Sequence, residues 1–230
     1  MTTATPAPTV ASPGGTAATA LLITADDVEE LTAELRRVAP GFSAVFLMHT
    51  DPVRSRAAQS MLGDAVSVIT DQQTTAVALI AALLTTLDRA GTAPAAGRVV
   101  IAGAEHNPLV AALAVAAGIG EIDSWNLGDA HDFPLRTFAR RGAVVIDLLG
   151  SAALRLEAAA LDPPIPFIAA DGPRTTLRAL PALLAAAQTL GHPPDVATCL
   201  ACARAIAGRT PTSLGLATPS ALPSTPYPVR

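Results

Sequence analysis

Gly97-Arg98-Val99-Val100-Ile101-Ala102-Gly103-Ala104-Glu105-His106-Asn107-Pro108 is the stretch that decides the fold of this chain. Its unbroken run of β-branched and small apolar side chains, without polar alternation, is the pattern of a strand buried on both faces. The run ends at a glycine, crosses a short polar segment and meets Asn107-Pro108, a capping residue followed by proline at the first helical position. A buried strand over Arg98–Gly103 and a helix over Pro108–Ala117 are therefore expected. Strand, turn and helix in that order begin a βαβ unit.

Outward from this stretch the alternation continues. Downstream, strands are expected over Glu121–Leu127, Gly142–Leu149 and Ile165–Ala170, with helices near Thr175–Leu190 and Val196–Ala207. Upstream, Val28, Leu31, Leu35 and Val38 recur at helical spacing behind Thr24, a capping residue, and the first-turn acids Asp26, Asp27 and Glu29; this predicts a helix over about 25–38. Ala44–Met48 and Val66–Ile69 read as short strands around a helix at Ala57–Leu62, and Asp71–Ala90 as a long, nearly all-apolar helix that must be covered on most sides. Alternating β and α elements of this length predict an α/β fold: a Rossmann-like parallel sheet with helices on both faces, preceded by a small helical and strand segment.

Composition agrees and narrows the function classes. Half of the 230 residues are hydrophobic and only 3% aromatic, so a large core must be built from Ala, Val, Leu and Ile. The net charge of -4 is scattered, with no basic stripe of the kind a nucleic-acid surface needs. Apolar stretches such as Ala76–Leu84 and Leu109–Ile119 fall short of the roughly 20 residues that cross a bilayer. Two cysteines and no export signal point to a reducing, cytoplasmic compartment. Residues 1–20 and 210–230, rich in Thr, Ala, Pro and Ser, are expected to be disordered tails around one domain over 21–209.

Three stretches in order resemble the malic enzyme family. Asp71-Gln72-Gln73-Thr74-Thr75-Ala76 leads into a long apolar helix as the family's Asp-Asp-Gln-His-Gly-Thr-Ala segment does. Gly97–Ala104, followed by a helix and Ala117-Gly118-Ile119, is similar to its first dinucleotide-binding strand and turn. Ile165–Pro173 looks like the strand that ends in the family's Ala-Asn-Pro. With the helix and strand over 24–48 added, the resemblance covers about 185 residues. It implies the NAD(P)-binding, C-terminal domain of such enzymes, which oxidise and decarboxylate malate with NAD or NADP and a divalent metal, Mg or Mn.

Residue by residue, much of that chemistry has no counterpart. The family's acid and base, a Tyr and a Lys, come mostly from an N-terminal domain; the single tyrosine here, Tyr227, lies in the C-terminal tail, and no lysine precedes Thr24. Of the metal-binding acids only Asp71 matches, with His49 or Asp51 near the place of the others after a shift in register. Read locally, Asp71 is the N-cap or first-turn acid of the long helix. Asp171 replaces the substrate-contacting Asn and puts a negative charge where a dicarboxylate would sit.

The cofactor positions implied by the resemblance are Gly103, Ala104, Glu105, His106 and Asn126. The fingerprint G-x-G-x-x-G uses its second glycine for backbone approach to the pyrophosphate and its third for close packing. Here only Gly103 survives. Glu105 places a carboxylate near the pyrophosphate; at about 5 Å and an effective dielectric near 20, each like-charge pair costs on the order of 3 kcal/mol. Asn107 is expected to cap the free amides of the following helix, and Pro108 has no N–H to offer. Ser124-Trp125-Asn126 stands where an acid would hold the ribose, with Asp123 or Asp129 as partial substitutes.

Other polar candidates read as local features. Cys199-Leu200-Ala201-Cys202 has redox spacing but sits inside an alanine-rich helix, without a second pair for zinc. Glu105-His106 is a carboxylate beside an imidazole at a strand-to-helix turn, useful for proton transfer or merely a solvated loop. Asp129, His131 and Asp132 form an exposed connection, and His192 a loop. The expected protein is thus a non-catalytic, malic-enzyme-like binding or assembly module with no cofactor, pairing as a homodimer or with a protein partner. The alternative is an NAD(P)-dependent oxidoreductase for malate or a related hydroxy acid, either working with altered residues or completed by a partner chain.

Overall fold

The structure is a computed structural model that describes residues 10–11, 17–63, 66–126, 128, 134–138, 142–170 and 173–208. Two-residue strands β1 (Val10–Ala11) and β2 (Ala17–Ala18) pair antiparallel. Most of the tail expected over 1–20, and all of that over 210–230, lies outside the described residues.

The N-terminal segment is one β–α–β unit behind a helix. Helix α1 (Val28–Val38) starts later than expected, because Asp27 and not Thr24 is its N-cap: Asp27 Oδ1 accepts from the Glu30 N–H at 2.7 Å, and Glu30 Oε2 accepts from the Asp26 N–H at 2.9 Å. Strand β3 (Ala44–Leu47) runs parallel to β4 (Ser67–Thr70), and between them α2 (Pro52–Leu62) begins five residues before the expected start. Asp51 Oδ1 accepts from Val53 and Arg54 N–H groups, and Pro52 opens the helix without wasting a donor. Leu31, Leu35, Ala58, Leu62 and Val68 form the small core of this unit.

Helix α3 (Asp71–Arg89) follows β4 without a loop. Thr70 and Gln73 close a capping box: Thr70 Oγ1 accepts from the Gln73 N–H at 3.2 Å, and Gln73 Oε1 from the Thr70 N–H at 3.0 Å. Gln73 Nε2 also reaches Pro194 O at 2.9 Å, tying the start of α3 to a distant loop.

The main sheet has four parallel strands in the order β6 (Glu121–Trp125), β5 (Arg98–Ala102), β7 (Ala143–Asp147), β8 (Phe167–Ala169). Alternate residues of β5 and β7 enter different cores. Val99, Ile101, Val144 and Ile146 join α3, α4 (Pro108–Ala117), α7 (Pro173–Leu190) and α8 (Val196–Gly208) on one face. Val100, Ala102, Ala143 and Val145 meet α5 (Leu135–Phe138) and α6 (Ala152–Ala160) on the other. The expected α/β architecture, Rossmann-like with helices on both faces, is therefore present; α5 and α6 are additions that the apolar pattern had not marked. From β5 the chain crosses to β6 on one side and returns to β7 on the other. The crevice beyond the carboxyl ends of β5 and β7 is the topological switch point, where folds of this kind receive ligands.

Candidate functional site

The carboxyl ends of β5, β7 and β8 and the start of α3 surround a cavity of about 630 Å³, walled by Asp71, Gln72, Thr75, Glu105, His106 and Asn107, with Leu148 and Ala170 from the loops after β7 and β8. Of the expected cofactor positions, Glu105 and His106 reach this wall.

The turn after β5 is filled by the protein itself. Gly103 adopts φ +77°, which a glycine accepts without strain, and its N–H donates to Trp125 O at 2.9 Å. A Cβ there would lie 2.6 Å from Leu149 Cδ2, so the space that the glycine leaves open is taken by a leucine from the facing loop. Asp147 holds that loop: its buried carboxylate accepts from the N–H groups of Leu149 and Ser151, each at 2.9 Å. Neither Asp147 nor Leu149 had been singled out in the sequence, where an aspartate ending a strand and a following leucine carry no distinctive signal.

Beyond Gly103 the chain makes a 3-10 turn over Ala104–His106 before α4 begins. Glu105 is gripped from both sides. With its amide nitrogen turned toward the carboxylate, Asn126 donates to Glu105 Oε2 at 2.7 Å and to Trp125 O at 3.2 Å, while His106 Nδ1 lies 3.4 Å from Glu105 Oε1. The sheet thus brings Gly103, Glu105, His106 and Asn126 together, although they span two βα turns.

One expectation is overturned here. Asn107 does not cap α4: no side-chain cap bond forms, and Nδ2 instead donates to Gln72 O at 2.9 Å, joining the starts of α3 and α4. Its extended backbone, at φ -150° and ψ 82°, leaves the first-turn amides out of the side chain's reach. Asn107 Oδ1 is buried and, among the described residues, has no partner.

Asp71 occupies the first turn of α3, behind the Thr70 cap, and Oδ2 accepts from the His49 N–H at 2.9 Å. His49 stands at φ +55°, the left-handed region, so this bond fixes a strained residue between β3 and α2. Asp51 is engaged as the α2 cap. Asp51 and Asp71 each commit one carboxylate oxygen to backbone amides, which leaves two free oxygens where a hard divalent cation takes several. Among the described residues no three His, Cys, Asp or Glu side chains gather as a metal site. Asp171, and the Asp129, His131 and Asp132 cluster, lie outside the described residues. The turn departs from one built for a pyrophosphate, because the carboxylate-bearing Glu105 stands at the place of the second glycine, the one that lets the backbone approach the phosphates.

Cys199 and Cys202 are buried in the core of α8, and burial pushes both thiols up, Cys199 to about 12. Thiols so held are packing groups, not nucleophiles. His192 Nδ1 lies 2.9 Å from Pro193 O in a loop.

No family model and no curated protein matches the chain. Solved structures do. The chain is similar to the malic enzyme of Entamoeba histolytica, at 16% identity and a TM-score of 0.59 over 79% of this chain and 50% of that one. It is also similar to a putative malic enzyme (malate oxidoreductase), at 13% identity and a TM-score of 0.59 over 81% of this chain and 65% of that one. A third is the NAD-dependent malic enzyme of Thermotoga maritima, at 14% identity and a TM-score of 0.56 over 81% and 72%. The malic-enzyme resemblance therefore holds for the fold, and the chain spans about half the length of the Entamoeba enzyme.

Proposed function

We propose that this protein is a non-catalytic relative of malic enzymes, a cytoplasmic binding or assembly module that keeps their α/β scaffold without their dinucleotide chemistry. The observation that carries this reading is Leu149 lying over Gly103, held there by Asp147. The first glycine of a dinucleotide turn makes the tight turn, and here Leu149 packs against it; the second, which lets the backbone approach the pyrophosphate, is replaced by Glu105. Glu105 adds negative charge at the same place. Because that side chain is 54% exposed, solvent screening trims its repulsion toward a phosphate from about 3 kcal/mol to roughly 1 kcal/mol, still several-fold in affinity. The chain also contains no lysine at all, so it offers no counterpart of the family's catalytic lysine.

The binding partner that suits this scaffold is a second copy or another protein. Leu22, Phe42, Met48, Val53 and Met61, all large apolar residues of the N-terminal unit, are exposed. Exposed apolar surface of this kind marks interfaces. Among the described residues no helix is long and apolar enough to cross a membrane.

The test is spectrophotometric. With malate, NAD or NADP and added Mn, the purified chain is expected to form no reduced cofactor above background. A second reading, an oxidoreductase for malate or a related hydroxy acid that uses NAD or NADP and Mg or Mn, is favoured by one fact: the chain covers only part of each malic enzyme it resembles. In that reading either the altered residues still serve, or the rest of the enzyme is supplied from outside these 230 residues. Malate-dependent cofactor reduction that appears only with a co-purified second chain would establish it.

A further inference from the structure

With no lysine in the chain, arginine carries its fixed positive charge. The fold pairs Arg37 with Glu34 and Arg98 with Glu121, gives Arg36 the Met61 carbonyl and Arg54 the carbonyls of Ala25 and Asp27, and sets Arg155 over the Phe167 ring. Arg89 and Arg178 are different. Both are exposed, neither has a hydrogen bond or an ion pair among the described residues, and both line one cavity of about 170 Å³. Arg89 comes from the last turn of α3 and Arg178 from α7, with Ile206 of α8 on a third side, so packing of three helices brings the two guanidiniums to one place. No Asp or Glu stands in this wall. Asp88, next to Arg89 in sequence, is turned about 100° around the helix from it. The rest of the lining narrows the ligand. The Thr85 and Thr86 hydroxyls donate to the Ala81 and Ala82 carbonyls, each at 2.8 Å, so the guanidiniums supply the free donors. Ala78 and Ala82, whose small side chains leave the space open, form an apolar side with Ile206.

We propose that this cavity binds a small phosphate monoester, its anionic head paired with Arg89 and Arg178 and its carbon stem against the alanines of α3. Charge decides between the acids. A phosphate monoester carries about -1.5 to -2 at pH 7 and so matches two guanidiniums, whereas a carboxylate brings a single charge. Each guanidinium can also present two parallel N–H groups to phosphate oxygens. Volume limits the stem: at about 30 Å³ per water-sized group, 170 Å³ holds roughly six such groups, room for a few carbons and too little for a nucleoside. Because both arginines are exposed, solvent screens the pairing and keeps the affinity modest. The site is separate from the switch point. Asp71 opens α3 there, whereas Arg89 closes the same 19-residue helix about 27 Å further along at 1.5 Å per residue, so the inference does not depend on what the dinucleotide turn binds.

The experiment is calorimetric titration of the full chain with propyl phosphate, with butyrate and 1-propanol as separate arms that keep the same three-carbon stem and change only the head. Propyl phosphate is expected to bind saturably with a dissociation constant of about 0.1–5 mM, weakened several-fold when NaCl is raised from about 20 to about 200 mM. Butyrate should bind at least about threefold more weakly, and 1-propanol should give no heat beyond dilution. Arg89→Gln and Arg178→Gln remove exposed side chains that hold nothing else in the fold, and each should weaken propyl phosphate at least about fivefold. Arg56→Gln, at an exposed arginine of α2 outside this wall, should leave binding unchanged. No saturable binding of propyl phosphate overturns the proposal. So does a loss in Arg56→Gln equal to that in Arg89→Gln, which would make the attraction diffuse, and so does butyrate or 1-propanol binding as tightly as the phosphate.

Discussion

Leu149 Cδ2 lies 2.6 Å from the point where a Cβ on residue 103 would stand, so the glycine at the head of the β5 turn is required by a neighbouring leucine. Gly103→Ala meets two costs. Its φ of +77° strains any side-chain-bearing residue by roughly 1–2 kcal/mol, and overpacking adds roughly 1–3 kcal/mol. Urea unfolding should show Gly103→Ala destabilised by about 2–5 kcal/mol, with Leu149→Ala in the same chain restoring the overpacking share. If the second substitution restores nothing, the contact is not what holds residue 103.

Asp71 and His49 make a second pair of this kind. Removing the carboxylate with Asp71→Ala frees a backbone N–H and releases a residue held at φ +55°, so a loss of about 1–2 kcal/mol is expected. His49→Gly, which relaxes the left-handed strain, should by contrast be neutral or stabilise by up to about 1 kcal/mol. Thermal unfolding of the two variants checks both signs; a neutral Asp71→Ala would leave that carboxylate free for another role.

The buried thiols set an alkaline limit. Burial pushes Cys199 from an ordinary value of 9.0 up to about 12, with Cys202 and Asp195 adding to the same direction. Because the folded value is the higher one, the folded state keeps its proton while the unfolded chain loses it. Stability from this group is therefore complete below pH 9 and falls between about 9 and 12, at up to about 1.4 kcal/mol per pH unit. Thiol alkylation at pH 8 should be slow in the native protein and rapid in denaturant. Fast native labelling would show that α8 opens readily.

Self-association is expected through the N-terminal unit. Val53 is 71% exposed on α2 and Met61 is exposed on the same helix. Light scattering at tens of micromolar should give a dimer, and Val53→Glu with Met61→Glu should shift the mass toward monomer. A monomer at that concentration, with no partner co-purifying, contradicts the assembly role.

The main sheet was legible because its signals are local. Val99 to Ala102 and Ala143 to Ile146 are apolar runs long enough to be strands and nothing else, and Pro108–Ala117 is bounded by a proline start and a glycine stop. Thr24 and Asp27 are equally good caps in the sequence, and the structure chooses Asp27, whose carboxylate accepts from the Glu30 N–H while Glu30 Oε2 accepts from the Asp26 N–H. α2 is longer than its apolar run implies because Asp51 and Pro52 start it five residues ahead of that run. In the site, Glu105 and Asn126 were recognised, but not their bond, which depends on two adjacent strands bringing separate turns together. Asn107 misled for a related reason: as a sequence it is a cap, and only packing against the Gln72 carbonyl diverts its side chain.

The central claim is that a malic-enzyme-type scaffold has closed its dinucleotide turn with its own side chains, and calorimetric titration with NAD and NADP tests it most directly. No saturable binding is expected below about millimolar, where the binding free energy is only about 4 kcal/mol. Glu105→Gln should not by itself restore affinity, because a side chain still stands where the fingerprint has its second glycine. Micromolar binding of either cofactor to the unaltered chain would contradict the account.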